Sequence, residues 1–208
     1  MNSQNLKVYS RVINNILVSF KCSEDLSSHA EFLFDIISGE QDNKNILIDN
    51  FKIQIGWTFY IFKENENEFM ILSPDYKSNP FKDTTEDLTV SLFVQAQQFA
   101  LIRKMNVECE EVSFQDTLMV LKQAINAELV YIERKEHTRE KDSGWYLGLV
   151  NDEDNSHAIE DYQCIYVFQL LKYKPQLLQL LFLPVGYLVV INGDTIEEVI
   201  DKDDKRIL

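Results

Sequence analysis

Apolar residues recur along this chain at two different spacings, and this alternation limits the fold more than any other feature. Residues 51–62 carry them at every second position, which is typical of a half-buried strand. Residues from Thr84 or Thr85 to Met105 carry them three and four positions apart, behind two acids that suit a helix N-terminus. The sequence therefore predicts an α+β fold, with mixed or antiparallel sheets flanked by helices.

Short runs of β-branched and aromatic residues, bounded by turn signals, predict the other strands. These runs fall at 69–72, 117–125, 128–133, 145–150, 185–191 and 195–200. The last two form a hairpin, because Asn192-Gly193 between them is a strong turn pair. Residues 6–20 fit a helix and a strand equally well, and both interpretations stay open.

Two further segments have helical spacing. The first starts at Ser23 or Ser27, ends at Gly39 and is followed by a polar surface loop over 40–45. The second covers 162–183, and a proline within it begins another short helix. The last eight residues, DKDDKRIL, are expected to form a solvated tail.

The length of 208 residues suits one large domain or two small ones. We predict an N-terminal α+β region of unknown role over 1–108 and a C-terminal α+β domain over 109–208. One continuous domain would fit the same pattern. Gly56-Trp57 and Gly144-Trp145 each begin an aromatic strand that runs into an acidic turn, which fits a duplication and chance equally well.

The charge balance points to a class of partner. The 34 acidic and 20 basic residues give a net charge of −14. Phosphate backbones and anionic lipids repel such a surface, so neither nucleic acid nor membrane is an expected partner. A basic protein would be attracted and steered toward it, although solubility alone explains the charge equally well.

The cysteines and the N-terminus indicate a compartment. Cys22, Cys109 and Cys164 are widely spaced and form no CxxC motif, so we expect buried, reduced thiols and no disulfide or zinc site. Such thiols suit a reducing compartment. The first residues lack the layout of a secretion signal, and apolar runs stay below the ~20 residues of a membrane span. We predict a cytoplasmic protein.

Patterns that carry chemistry are missing from the sequence. It contains no GxSxG elbow, no GxxxxGK[ST] and no GxGxxG. The acidic run at 152–154, near His157, lacks the alternating oxygen ligands and the glycine of a calcium loop, so an exposed acidic turn fits better than a metal site. We therefore assign no catalytic, cofactor-binding or metal-binding residue and predict a protein that is not an enzyme.

Acidic turns and aromatic residues remain as the candidate binding surface. We predict that Asp142, Tyr146, Asp152, Glu153 and Asp154 bind a protein partner, because binding residues are often carried on turns and tyrosine is enriched at interface hot spots. The alternative for each tyrosine is half-buried packing in the sheet.

Two motifs carry a family resemblance. Asp142-Ser143-Gly144-Trp145 precedes a strand and an acidic turn, and Pro184-Val185-Gly186 follows an aliphatic helix. This order, over about 128–201, resembles immunity protein family thirty-three, a bacterial family also catalogued as a domain of unknown function. Asn151 stands where that family usually has glycine, and residues 137–140 replace its Pro-Asp.

Members of that family are inferred to neutralise toxins deployed between competing bacteria. The resemblance implies a non-enzymatic immunity protein that binds a toxin domain through its acidic surface. The residues leave two alternatives open. One is a small-molecule or regulatory module with apolar pockets near the two Gly-Trp pairs, and the other is a hydrolase with a metal ion at 152–154.

Overall fold

The computed structural model describes residues 5–66, 68–136, 139–152 and 157–208. The contacts of the chain divide it into two compact units, Met1–Ala96 and Gln97–Leu208. Among the described residues, each unit holds a six-stranded mixed sheet, and helices occur in both. The α+β class is therefore confirmed. A domain boundary at 108/109 remains a prediction.

Six strands form the described sheet of the N-terminal unit. They are β1 (Leu6–Ile13), β2 (Ile16–Ser23), β3 (Lys52–Ile55), β4 (Thr58–Asn65), β5 (Glu68–Pro74) and β6 (Thr84–Thr85). Their order is β1-β2-β5-β4-β3, with β6 paired to β5. Strands β2 and β5 run parallel, and the neighbouring pairs run antiparallel.

The ambiguous segment 6–20 lies in a hairpin. Asn14 and Asn15 join β1 to β2 with φ angles of 48° and 64°. Asparagine tolerates this left-handed region better than other residues with a side chain, and two successive positive φ angles match the twist of a two-residue hairpin. In the sequence, this asparagine pair therefore favours a hairpin of two strands and not a helix.

The prediction of one strand over 51–62 is wrong. Gly56, with a φ of 63°, turns the chain between β3 and β4, which pair with each other. The turn changes which side chains are buried on β4. Tyr60 and Phe62 are buried, whereas Phe59 and Ile61, which would have continued a single strand's apolar face, are only half-buried.

Helix α1 (Ser27–Lys44) does not end at Gly39, so the predicted loop over 40–45 is wrong. It ends at Asn45, which has a φ of 49° and donates its N–H to the Gln41 carbonyl at 3.1 Å. The buried amide of Gln41 donates to Asn45 Oδ1 and accepts the Leu47 N–H, both at 2.8 Å. Asparagine can replace glycine as the left-handed cap, and here a second amide fixes it.

Helix α2 (Thr89–Met105) ends where predicted but begins later than Thr84 or Thr85. Those two threonines form β6, so their backbone is already extended. Asp87 then accepts the Thr89 N–H at 3.0 Å. Side chains from both helices join the sheet in one core, which includes Phe20, Leu33, Phe34, Ile37, Tyr60, Phe62, Ile71 and Leu92.

Six strands also form the described sheet of the C-terminal unit. They are β7 (Thr117–Leu121), β8 (Leu129–Arg134), β9 (Asp142–Leu149), β10 (Tyr162–Tyr166), β11 (Leu188–Asn192) and β12 (Thr195–Ile200). The order is β10-β7-β9-β8-β11-β12, and β7 runs parallel to β9. The predicted hairpin of β11 and β12 is confirmed.

One prediction for this unit is wrong, and another is only partly right. Residues 162–166 form β10, which pairs antiparallel with β7. The helical segment starts only afterwards, with α3 (Leu170–Tyr173) and a 3₁₀ helix that Pro175 begins. The last eight residues are mostly exposed, as predicted, but they are held against β12 and do not form a free tail. Ile207 donates its N–H to the Val199 carbonyl at 2.8 Å, and Val199 donates to Leu208 at 3.2 Å.

Candidate protein-interaction face

The motif Asp142-Ser143-Gly144-Trp145 lies in β9, and its side chains alternate between the two faces of the C-terminal sheet. Ser143, Trp145 and Leu147 are buried, whereas Asp142 and Tyr146 are half-buried and lie on the opposite face. Side chains of a strand alternate in this way. The same motif therefore serves both the core and the outer surface.

The buried half of the motif is structural. Trp145 is 1% exposed and donates its indole N–H to the Leu181 carbonyl at 3.2 Å. Ser143 Oγ donates to the Thr117 carbonyl at 2.8 Å, which ties β9 to β7. Trp145 is therefore part of the core beneath the sheet.

Arg134 is a buried cation that the sequence analysis missed. Its guanidinium donates to the carbonyls of Leu183 at 2.7 Å and Ser143 at 3.2 Å, and it lies 3.3 Å from the Glu110 carboxylate. Burial lowers the pKa of Arg134, and Glu110 opposes that shift. The alternation along β8 indicates that Arg134 is buried, because it follows Val130 and Ile132 on the inward side of the strand. The predicted strand ends at residue 133 and therefore leaves Arg134 out.

Three tyrosines form a row across the outer face of the sheet. Ring centroids are 5.7 Å apart for Tyr131 and Tyr146 and 6.1 Å apart for Tyr146 and Tyr162. Tyr131 lies over Gly148, where a Cβ atom would come within 2.7 Å of its ring. Glycine at 148 therefore makes room for the row. Burial, followed by the two neighbouring tyrosines, raises the pKa of Tyr146.

An open groove of about 480 Å³ runs along this row, and we call it the tyrosine groove. It is lined by Met119, Tyr131, Lys135, Glu136, Asp142, Gly144, Trp145, Tyr146 and Tyr162. Lys135 holds its ammonium 5.8 Å from the ring centroid of Tyr146 and 3.0 Å from Glu133. Asp142 Oδ1 accepts the Gly144 N–H at 3.0 Å, which fixes the carboxylate at the groove wall.

The structure brings two of the five predicted binding residues, Asp142 and Tyr146, into this groove. Asp152 contacts His157, with Oδ2 and Nε2 2.5 Å apart. The His157 ring meets Tyr162 edge-on at 6.0 Å, so Asp152 connects to the end of the tyrosine row through the imidazole. Glu153 and Asp154 lie outside the described residues.

Two exposed apolar residues that the sequence did not single out are Met119, which lines the groove, and Ile159, which lies three residues before Tyr162 in sequence. Ile159 is 88% exposed just before β10, and Met119 on β7 is 44% exposed. Cys164 and Cys109 are also exposed, so the expectation of buried thiols holds only for Cys22, whose pKa burial raises to about 12. Met119 lines the groove together with the tyrosines, and methionine and tyrosine are both enriched at protein interfaces.

The described surroundings of the other Gly-Trp pair are closely packed. Trp57 is fully buried, donates its indole N–H to the Ser91 carbonyl at 3.1 Å and stacks on Tyr76 with centroids 4.7 Å apart. The cavity beside Tyr76 measures about 20 Å³. That volume holds a water molecule, whereas ligand sites measure ~300–1,000 Å³.

Neither a metal site nor a membrane-spanning helix occurs in the described part of the chain. No three histidine, cysteine or acidic side chains there are placed to hold a metal ion. Within the same residues, every helix is too short or too polar to cross a bilayer.

These observations define a protein of the α+β class whose C-terminal unit exposes a tyrosine-lined face. The model of the Imm33-like domain matches residues 97–202, just over half of the chain. The chain therefore belongs to the Imm33-like family, and the resemblance drawn from its motifs is confirmed. No curated protein and no solved structure matches the chain.

Proposed function

We propose that this protein is an immunity protein: a cytoplasmic, non-enzymatic protein that binds a bacterial toxin domain and neutralises it. The observation that carries this proposal is the tyrosine groove, which lies inside the segment that matches the Imm33-like family. Neutralisation by binding needs a complementary surface and no turnover, so we assign no catalytic residue, metal or cofactor.

The side chains of the groove suit a protein interface. Tyrosine and methionine are enriched at such interfaces, and tyrosine is common among the few residues that carry most of the binding energy. Tyr131, Tyr146 and Tyr162 offer ring faces together with hydroxyls that tolerate water. Ile159 offers an exposed aliphatic side chain that can fill a pocket on the toxin.

Charge supports the same function. Asp142 lies in the groove and Asp152 at the end of the tyrosine row, on a chain with a net charge of −14. A basic toxin surface would be drawn to this face, and steering of this kind raises association above an unsteered ~10⁵–10⁶ M⁻¹s⁻¹. We include Glu153 and Asp154 in the proposed contact because they adjoin Asp152 in sequence.

We expect a toxin-bearing reading frame to lie beside this gene, and the test is co-expression of this chain with that toxin. We expect the chain to restore growth and to form a complex that can be isolated. Ile159→Asp should weaken both, because it replaces an exposed apolar side chain of the proposed contact with a charged one that cannot fill an apolar pocket. Ile48→Asp is the matched control, since Ile48 is 50% exposed in the N-terminal unit and should tolerate the change. Toxicity that persists with the unaltered chain would refute the proposal.

A further inference from the structure

We infer that the tyrosine groove receives a cationic side chain, an arginine or a lysine, from the partner protein, and that Lys135 occupies this position in the free protein. The inference rests on the proposed function, because it names the partner chemistry of the same face. It commits the groove to a basic protein segment as its occupant.

The first support is an ammonium that already lies on the groove. Lys135 Nζ is 5.8 Å from the ring centroid of Tyr146, within the ~6 Å over which a ring face attracts a cation. The ring face is negative because of the π-electron quadrupole. Tyr131 and Tyr162 flank this ring at 5.7 and 6.1 Å, so a planar guanidinium would meet several rings.

The second support is the charge of the groove wall. Asp142 and Glu136 line the groove and place two carboxylates beside the tyrosine rings. Lys135 is the only lysine or arginine among the lining residues that the structure describes. A cationic side chain of the partner would therefore be attracted by the carboxylates of Asp142 and Glu136 and would compete with Lys135 for the position over the ring.

Lys135 is held weakly enough to be displaced. Its side chain is 63% exposed, and its ion pair with Glu133 at 3.0 Å lies at the surface. Exposed pairs of this kind contribute little to stability. A partner cation can therefore take the position over Tyr146 while Lys135 swings into solvent.

This arrangement predicts effects of opposite sign for two lining residues. Lys135→Ala should strengthen cation binding, because it removes the competing charge. Asp142→Asn should weaken it, because it removes an attracting charge while keeping the Oδ1 acceptor for the Gly144 N–H. Each change should be about two- to five-fold, the range of an exposed cation–π contact for Lys135→Ala and of an exposed ion pair for Asp142→Asn.

The experiment is an NMR titration of the full chain with N-acetyl-arginine amide, observing the tyrosine ring protons. N-acetyl-citrulline amide is the neutral probe of the same shape. Lys172→Ala is the matched control variant, because Lys172 lies 5.6 Å over the Tyr173 ring but does not line the groove. We expect saturable shifts with the arginine probe alone, tighter binding for Lys135→Ala, weaker binding for Asp142→Asn and no change for Lys172→Ala.

Three outcomes would overturn the inference: no saturable shift, equal binding of the citrulline probe, or weaker binding after Lys135→Ala. Each leaves the proposed function open to its own test, since the toxin could still be neutralised through other contacts. Conversely, a groove that binds arginine in a chain that fails to protect against the toxin would support the inference and refute the immunity function.

Discussion

The two Gly-Trp pairs of this chain are alike in their tryptophans and different in their surroundings. Trp57 and Trp145 are both buried, and each donates its indole N–H to a main-chain carbonyl, of Ser91 and Leu181 respectively. Gly56 turns the chain between two strands, whereas Gly144 lies within β9 and lines the tyrosine groove. A buried tryptophan is therefore common to both units, and around Trp145 the neighbouring residues also form the tyrosine groove.

The largest expected effect tests whether the two tryptophans are equivalent. Trp57→Ala and Trp145→Ala should each lower the free energy of unfolding by about 3–5 kcal/mol, because both remove a large side chain from a closed core. Denaturant unfolding of the two variants measures this. A variant with an unchanged transition would show that its tryptophan does not support the core, and the equivalence would fail.

The next effect concerns what lies beside each indole. Trp57 stacks on Tyr76, whereas Trp145 lies 5.8 Å from the buried Arg134 guanidinium. Arg134→Met should cost about 2–3 kcal/mol, because several buried carbonyls lose their donor. Denaturant unfolding again supplies the measurement. Stability equal to that of the unaltered chain would mean that water replaces the guanidinium without loss.

A smaller effect on stability is expected from alanine at Gly148, which is crowded, compared with alanine at Gly39, which is not. Gly148→Ala should cost about 1 kcal/mol, because the new Cβ comes within 2.7 Å of the Tyr131 ring and must displace it. It should also weaken toxin binding, measured by calorimetry. Gly39→Ala is the control, since nothing lies within 4 Å of its Cβ position in α1, and it should stabilise by about 0.5–1 kcal/mol. If Gly148→Ala bound the toxin as tightly as the unaltered chain, Tyr131 would not be part of the interface.

The smallest effect is a pH dependence at Tyr146. Its pKa in the folded protein is raised above the ordinary 10.0, so the folded state holds the phenol proton more tightly than the unfolded chain does. The resulting stability is fully present below pH 10 and is lost as the pH rises through the folded-state value.

Tyr146→Phe isolates this contribution, because the tyrosines elsewhere that have raised pKa values remain in both proteins. They are Tyr9, Tyr60, Tyr76 and Tyr187. The variant should lose less stability than the unaltered chain between pH 9 and 12, an interval of about one to two units around the ordinary tyrosine value. Parallel pH profiles would show that Tyr146 titrates as in the unfolded chain.

Local signals predicted much of the fold. The turn pair Asn192-Gly193 placed the last hairpin correctly, since its geometry needs no information from elsewhere. Errors arose where distant contacts overrule local preference. Gly39 lies within α1 because Asn45 and the buried Gln41 amide provide a later end, and Thr84–Thr85 is extended because it pairs with β5.

The candidate site was only partly visible in the sequence. Asp142 and Tyr146 were identified from a motif and share one groove, but their neighbours come from three other strands that only strand order brings together. Lys174 shows the same limit. From the sequence, Lys174 is a charge at the end of a helix. In the structure its side chain is buried and donates to the Ala127 carbonyl at 2.7 Å, and burial lowers the pKa of Lys174.

The Arg134 guanidinium has a consequence for how the C-terminal unit opens. It joins β9 at Ser143, the segment at Glu110 and the chain that follows the 3₁₀ helix at Leu183, which are remote from one another in sequence. Because the Arg134 side chain donates hydrogen bonds to all three segments, they should unfold as a single cooperative unit. Amide protons at these places should therefore exchange with solvent at matching rates in native-state hydrogen exchange.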